Sequence, residues 1–198
     1  MYRSYIKRML DLLTLLLVII PLLILGIIIS VLIKIDSKGK ILFKQNRLGQ
    51  YGRVFKIYKF RTMIQDAEKV GTGVFTSDED PRITKIGRLL RKTSLDELPQ
   101  IINILKGEMS FVGPRPPVPY HPYKYEDYTD TQRLRFTVKP GVTGMAQAYG
   151  RNTLSWDERI EYDVKYVKNI SLLLDIKIVI KTILSVIRKE NIYRESGK

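Results

Sequence analysis

The sequence predicts a helix-rich α+β fold in a single membrane-inserted domain. Three observations support this prediction: one long uncharged apolar run near the N-terminus, one short alternating segment after it, and amphipathic helical patterns further along the chain. We expect residues 1–36 to form a membrane segment and residues 37–198 to form a cytosolic domain that ends in an amphipathic helix.

The composition excludes several classes of site. The 198 residues include no cysteine and a single histidine, His121, so disulfide scaffolds, thiolate metal sites and multi-histidine metal sites are excluded. Lysine and arginine number 34 against 20 acidic residues, which gives a formal net charge of +14. This excess predicts polyanionic partners, namely nucleic acid, anionic lipid headgroups or phosphorylated substrates.

The apolar run extends over residues 12–33 without a charged side chain. Its length of about 22 residues is sufficient to cross a bilayer. A cleaved signal peptide is disfavoured, because the run is too long for one and no small-residue cleavage site follows it.

Two features of this run favour a re-entrant hairpin, which would enter and leave the membrane on one side. Basic residues flank both ends, whereas a spanning helix normally has the excess on its cytoplasmic side. Pro21 lies near the middle, where it breaks the hydrogen-bond ladder and kinks a helix. Each arm would be roughly 15–18 Å long, about half of a ~30 Å hydrocarbon core. A plain spanning helix that tolerates Pro21 is the alternative, and the pattern leaves both open.

The segment after the membrane run predicts a β-hairpin. Residues 40–48 and 53–63 are separated by a glycine-containing turn at 49–52. The second run alternates, so that Lys59 and Arg61 are expected to project from one face of its strand.

The remaining segments predict helices and loops. We expect a polar loop at 65–81, an irregular proline-rich segment at 113–117, and helices at about 83–92, 95–105, 153–169 and 172–187. The last helix has an apolar stripe formed by Leu173, Ile176, Ile180, Ile183, Leu184 and Ile187. Such a stripe usually packs in a core, but beside an inserted segment it can instead lie in the membrane interface, and both alternatives stay open.

Asp96 and Glu97 are adjacent carboxylates at the start of the second of these helices. Ser94 and Glu97 fit a capping box, which is a purely structural explanation of that pair. Asp96 has no role in such a box. Arg88 and Arg91 lie shortly upstream and are suited to bind phosphate beside it. An ionised aspartate beside phosphate-binding arginines is what nucleophilic attack on phosphorus requires.

Further basic residues indicate the same kind of ligand. Lys59 and Arg61 lie on the predicted strand, and Arg115 lies between prolines that restrict its backbone. The turn-rich segments 139–144 and 150–152 add further basic side chains. Together they predict several cations around a multiphosphate ligand near a membrane surface.

These motifs, in this order, resemble those of the bacterial sugar transferases, the monotopic polyprenyl-phosphate phosphoglycosyl transferases of surface-glycan assembly. The resemblance covers nearly the whole chain, and its motifs are Lys7-Arg8, Asp11, the Pro21-containing run, 59–63, 94–100, 109–116, 139–144, Gln147 and 150–152. The chain is similar to the compact form of the family, without the multi-span membrane region of larger members. Ile20 stands before Pro21, where family members often have serine.

The resemblance implies a reaction and roles for the residues that match its motifs. A UDP-sugar would give its sugar-1-phosphate to undecaprenyl phosphate and release UMP, through a covalent intermediate and with Mg²⁺ as cofactor. Asp96 would be the nucleophile, Glu97 would help to bind the metal or to deprotonate the lipid phosphate, and both are expected metal ligands. The expected substrate-binding residues are Lys59, Arg61, Arg88, Arg91, Arg115, Gln147 and Arg151.

The resemblance also implies a location and partners. We expect a monotopic protein on the cytoplasmic face of the bacterial inner membrane, at the first membrane step of exopolysaccharide, lipopolysaccharide or capsule assembly. The expected partners are a UDP-sugar, undecaprenyl phosphate and membrane lipid, with no nucleic acid. The alternative function is a non-catalytic membrane adaptor that binds acidic lipid or RNA through its positive charge. No motif in the sequence identifies the sugar.

Overall fold

The computed structural model describes residues 2–67, 80–150 and 153–188. Its α-helices are α1 (Lys7–Asp36), α2 (Lys85–Thr93), α3 (Ile101–Leu105), α4 (Asp130–Arg133), α5 (Met145–Tyr149), α6 (Trp156–Lys168) and α7 (Leu172–Ile187). Its strands are β1 (Leu42–Leu48), β2 (Val54–Phe60), β3 (Ser110–Val112) and β4 (Gly141–Thr143). Short 3₁₀ helices lie at Gln50–Gly52, Leu95–Gln100, Tyr125–Asp127 and Leu134–Thr137, and a π-helix at Tyr2–Ile6 precedes α1. The predicted helix-rich α+β class is confirmed.

The strands form two small sheets. β1 and β2 make the predicted antiparallel hairpin, in which Leu42 pairs with Phe60 and Leu48 pairs with Val54. β3 and β4 form a parallel pair that the sequence does not predict, because three-residue strands show no alternating pattern. Of the predicted polar loop at 65–81, the part at 68–79 lies outside the described residues.

α1 is one helix of 30 residues that continues through Pro21. The predicted break at Pro21 is therefore not seen, because a proline can bend a helix and remove one hydrogen bond without ending it. The helix is long and apolar enough to cross a membrane. Much of its apolar surface faces outward, including the exposed side chains of Leu16, Leu17, Ile20, Leu23, Ile24, Ile27 and Ile28.

The N-terminal end of α1 is attached to the rest of the domain by buried carboxylates. Asp11 Oδ1 accepts hydrogen bonds from the Ser110 hydroxyl and the Phe111 backbone N–H, both at 3.1 Å. Lys7 Nζ lies 2.5 Å from Oδ2 of Asp175 on α7. Partly buried ion pairs of this kind are screened less by salt than surface pairs are, so this attachment is expected to persist at physiological ionic strength.

The C-terminal end of α1 is attached to the same domain. Arg61, directly after β2, donates to the carbonyl groups of Ser37 and Lys38, the two residues that follow the helix. Asp36 accepts the backbone N–H of Ile86 on α2 at 3.0 Å. Because both of its ends are bound to one body, α1 lies along that body and does not project from it.

α7 covers the predicted residues, but most of its apolar stripe does not pack against the core. Leu173, Ile180 and Ile183 are more than half exposed, while the opposite side of the helix buries Ile178 against Tyr166 of α6. The side chain of Ile187 lies outside the described residues. Core packing therefore does not account for the stripe, which forms an exposed apolar surface on α7.

α2 crosses the chain that follows β2 at a very short distance, and Gly87 permits the crossing. A Cβ atom built on Gly87 would lie 2.0 Å from the backbone carbonyl oxygen of Thr62, a separation that no side chain can adopt. The crossing places Arg91 of α2 beside Thr62, and Arg91 Nε donates to the Thr62 hydroxyl at 2.9 Å.

We expect Gly87→Ala to destabilise the protein by about 1–3 kcal/mol, because α2 must move away from Thr62. Gly26→Ala is the matched control, since its Cβ would come no closer than 3.9 Å to Phe60 and alanine is the better helix former. Thermal unfolding of both variants in the same detergent measures the difference. Equal unfolding temperatures for the two variants would contradict the close crossing.

Candidate active site

Asp96 and Glu97 lie on the 3₁₀ helix Leu95–Gln100, which follows α2 directly. Ser94 joins the two elements in a left-handed conformation, with φ of 58°, and its backbone N–H closes the end of α2. Its side chain caps nothing, so the capping-box interpretation of Ser94 and Glu97 is wrong. The tight left-handed turn and the other partners of Glu97 explain why that box does not form.

Two cations bind one oxygen of Glu97. Lys59 Nζ of β2 lies 2.6 Å from Glu97 Oε1, and Arg115 Nη2 lies 2.9 Å from the same oxygen. Lys59 Nζ is also 3.7 Å from Asp96 Oδ2. The side chain of Arg115 is 36% exposed, whereas those of Asp96 and Glu97 are 14% and 16% exposed. The site is therefore a partly buried carboxylate pair that opens to the outside on the Arg115 side.

The two carboxylates differ in acidity. Burial raises the pKa of Asp96, and the negative charge of Glu97 raises it further, against the opposing effect of Lys59. Burial acts in the same direction on Glu97, but Arg115 and Lys59 together outweigh it and hold the pKa of Glu97 well below its usual range. Glu97 is thus fixed as an anion, whereas Asp96 keeps its proton to a higher pH than an ordinary aspartate.

Two further arginines lie within electrostatic range of the carboxylates. The positive charge of Arg91, which lies on α2, lowers the pKa of Asp96 and so stabilises its ionised form. Arg47 of β1 is close enough to Arg115 and Glu97 for their charges to act on its own, and burial with the charge of Arg115 lowers the pKa of Arg47 to about 10. The sequence does not single out Arg47, because its neighbours in the site come from distant segments and no local pattern marks them.

The structure places the other predicted substrate-binding residues in different surroundings. Arg61 is buried and binds carbonyl groups at and just after the C-terminal end of α1, so it does not face the carboxylates. Arg88 is exposed on α2, and Gln147 on α5 donates to the carbonyl of Val142 at 3.1 Å. Within the described residues, no hydrogen bond or ion pair joins these side chains to either carboxylate. Arg151 lies outside the described residues.

The donor set suits a divalent ion that is shared with a substrate. Across residues 2–67, 80–150 and 153–188, no group of three or more acidic or histidine side chains could hold a metal. Mg²⁺ commonly takes only one or two protein carboxylates and completes its shell with water and substrate phosphates. In this part of the chain Asp96 accepts no hydrogen bond, while one oxygen of Glu97 is occupied by cations. Asp96 is thus the more available ligand, with Glu97 beside it.

Comparisons with known proteins give evidence about the family of this chain that does not depend on the geometry of the site. The family model described as "Bacterial sugar transferase" matches residues 2–189. The chain is 47% identical over 178 residues to the galactosyl transferase CpsE of Streptococcus agalactiae, an alignment that covers 83% of this chain and 39% of that protein. It is 45% identical over 161 residues to the uncharacterized sugar transferase EpsL of Bacillus subtilis, covering 81% of this chain and 76% of that protein.

A third relative has a more specific name. The chain is 40% identical over 187 residues to the UDP-N-acetylgalactosamine-undecaprenyl-phosphate N-acetylgalactosaminephosphotransferase of Aeromonas hydrophila. That alignment covers 93% of this chain and 44% of the relative. The chain therefore spans less than half the length of two of these three relatives and about three quarters of EpsL.

Proposed function

This chain belongs to the bacterial sugar transferase family, and from that premise we propose that it transfers a sugar-1-phosphate from a UDP-sugar to undecaprenyl phosphate and releases UMP. The observation that carries the proposal is a partly buried Asp96–Glu97 pair that faces Lys59, Arg91 and Arg115. The name of the Aeromonas relative supports the same donor and acceptor classes. A non-catalytic adaptor is not favoured, because it gives no reason for this arrangement of charges.

Asp96 is the nucleophile in this proposal. Its carboxylate oxygen attacks the β-phosphorus of the UDP-sugar, the bond from that phosphorus to the bridging oxygen breaks, and UMP leaves with the electron pair. The sugar phosphate remains on Asp96 as an acyl phosphate. Glu97 is the poorer nucleophile, because Lys59 and Arg115 hold one of its oxygens.

The second half of the reaction regenerates the enzyme. An oxygen of undecaprenyl phosphate attacks the phosphorus on Asp96, the acyl-phosphate bond breaks, and polyprenyl-diphospho-sugar forms. One phosphoanhydride replaces another, so no further energy source is needed. Lys59, Arg91 and Arg115 reduce the repulsion between the reacting anions. Mg²⁺ held by Asp96 and Glu97 would screen the phosphate charge in the same way.

The attachment of α1 supports a re-entrant placement in the membrane. A helix that crosses a bilayer separates its ends by ~30 Å of hydrocarbon. Here Lys7 and Asp36 at opposite ends of α1 contact one domain, and a folded domain is expected to lie on one side of the membrane only. The exposed face along the middle of α1 then lies in the cytoplasmic leaflet, and the apolar stripe of α7 lies in the interface. This placement holds Asp96 near the depth of the lipid phosphate.

The covalent route predicts a half-reaction. Enzyme mixed with UDP-sugar and Mg²⁺ without lipid should release about one UMP per active site and gain a sugar-phosphate adduct at Asp96, detectable by mass spectrometry. Asp96→Asn should abolish the adduct and lower turnover by roughly 10³-fold or more. Asp127→Asn, at an exposed aspartate, is the control and should react normally. Release of UMP only when lipid is present would instead support direct transfer.

The acidity of Asp96 predicts opposite shifts in two variants. Because Asp96 must be ionised to react, turnover falls as the pH drops through its raised pKa. Lys59→Met removes a charge that lowers this pKa, so the acid limb of the kcat/KM profile should move to higher pH. Glu97→Gln removes a negative charge that raises the pKa of Asp96. The acid limb of the activity that remains in this variant should therefore move to lower pH. Lys56→Met, on the exposed side of the same strand, should leave the limb in place.

The chain contains no cysteine, so single cysteines can report its topology. Tyr5→Cys and Ile35→Cys replace residues that are 78% and 77% exposed, the first just before α1 and the second near its C-terminal end. We expect a membrane-impermeant maleimide to label both from the cytoplasmic side, using inverted and right-side-out vesicles. Leu17→Cys, at a residue that is 81% exposed in the middle, should be protected by lipid. Labelling of the two ends from opposite sides would support a spanning helix.

A further inference from the structure

The segment that carries Arg115 is held through four consecutive carbonyl groups. It comprises Pro114, Arg115, Pro116 and Pro117 and is named the proline segment. Their carbonyl oxygens accept, in that order, the Gly141 N–H at 3.0 Å, Arg135 Nη2 at 2.9 Å, Arg47 Nη1 at 3.0 Å and the Leu48 N–H at 2.9 Å. Three of the four residues lack a backbone N–H, so these carbonyl groups supply most of the backbone hydrogen bonding available to fix the segment.

The donor to the Arg115 carbonyl belongs to a fully buried ion pair. Arg135 and Asp163 of α6 are each 1% exposed, and Arg135 Nη2 lies 2.6 Å from Asp163 Oδ2. The same Nη2 makes the hydrogen bond to the Arg115 carbonyl. A chain of contacts therefore runs from α6 through Arg135 and Arg115 to Glu97.

A contribution to folding stability is a weak explanation for the presence of the buried Arg135–Asp163 ion pair. Replacement of a buried ion pair by apolar side chains of similar size is often neutral or stabilising, since both charges lose their hydration. Burial raises the pKa of Asp163 to about 6 despite the attraction of Arg135, as expected for a carboxylate that is poorly solvated. Arg135 Nε and Nη1 also have no hydrogen-bond partner among the described residues, which adds to the unfavourable free energy.

We propose that the Arg135–Asp163 pair positions Arg115, by fixing the carbonyl of Arg115 so that its guanidinium meets Glu97 and the substrate diphosphate. Arg135 does not touch the carboxylate pair itself and acts through the backbone of Arg115. Asp163 orients the guanidinium that makes this contact. The inference rests on the proposed transfer reaction, because it assigns Arg115 to the phosphate-binding site.

The proline segment makes this position sensitive to a single hydrogen bond. The peptide unit between Arg115 and Pro116 is planar and moves as one rigid piece, and the prolines on both sides of Arg115 restrict the backbone torsions around it. Arg47 holds the next carbonyl, and its Nη2 donates to Gln45 Oε1 at 2.6 Å. Loss of the Arg135 contact would leave the Arg115 carbonyl without a partner, and rotation of this peptide unit would then move the side chain of Arg115. Displacement of a catalytic group by about 1 Å can lower a rate by as much as 10²-fold.

The test is a double-mutant cycle between Asp163→Asn and Arg115→Met, measured as kcat/KM for UMP release from UDP-sugar at saturating undecaprenyl phosphate. We expect Asp163→Asn alone to lower kcat/KM by about 10–100-fold. In protein that already has Arg115→Met, adding Asp163→Asn should change kcat/KM by less than about twofold, because the arginine that Asp163 helps to position is absent. Independent, multiplicative effects would overturn the positioning role.

A second variant separates positioning from folding. Arg135→Met/Asp163→Leu replaces the pair by apolar side chains and is expected to keep the thermal unfolding temperature while losing the same activity as Asp163→Asn. Full kcat/KM in this folded variant would overturn the proposal, and so would its failure to fold, which would assign the pair to stability. Arg133→Met is the matched control, since Arg133 Nη2 also donates to a carbonyl, that of Glu126 at 2.6 Å, but not to the proline segment.

The outcome for the unmodified protein distinguishes this inference from the proposed function. Absence of UMP release from unmodified protein, with Mg²⁺ and a panel of UDP-sugars supplied, would overturn the proposed function itself. Normal release combined with independent effects in the cycle would overturn the positioning role alone.

Discussion

Attachment of both ends of α1 to one domain is the constraint on which the rest of the structure depends. The attachment uses partly buried polar contacts: Lys7 and Asp11 at one end, and Asp36 and Arg61 at the other. Between them, Ile29 and its neighbours pack against the hairpin and α2. The elements that supply Lys59 and Arg91 are therefore built directly onto the apolar helix, so the proposed placement of this helix in lipid would also set the depth of the site.

The site is organised by an unequal distribution of charge over two neighbouring carboxylates. Lys59 and Arg115 both contact Glu97, and their positive charges keep it ionised. The Glu97 carboxylate in turn holds both cationic side chains in place. Asp96 is left with weaker partners, and its carboxylate remains available for a ligand. A cationic surround with one available carboxylate fits a reaction in which phosphate groups must approach an anionic nucleophile. In the proposed reaction, the cations that hold Glu97 in the free protein would also bind the phosphate groups of the substrate.

Local patterns predicted the elements, and distant contacts decided the roles of several side chains. Alternation identified the hairpin, and helical spacing identified α2 and α7, because these signals depend on neighbours in sequence. The sequence also drew attention to Asp96, Lys59 and Arg115, which the structure brings together. Arg61 could not be assigned from sequence, since its partners are carbonyl groups more than twenty residues away. The contacts of Glu97 could not be assigned from sequence either. It binds Lys59 and Arg115 and does not form the capping box that the local spacing predicted.

The charged residues at both ends of α1 have a consequence for biogenesis. Lys7 and Arg8 precede the apolar run, and Lys34 and Lys38 follow it, so a spanning arrangement would require one basic group to be carried across the hydrocarbon core. Transfer of each lysine or arginine into that core is unfavourable by roughly 2.5–3.5 kcal/mol even on the mildest scale. In the re-entrant arrangement none of them moves across. Under the proposed placement, insertion would need neither export machinery nor a membrane potential, and a domain that has already folded could enter the bilayer by burying its exposed apolar surface.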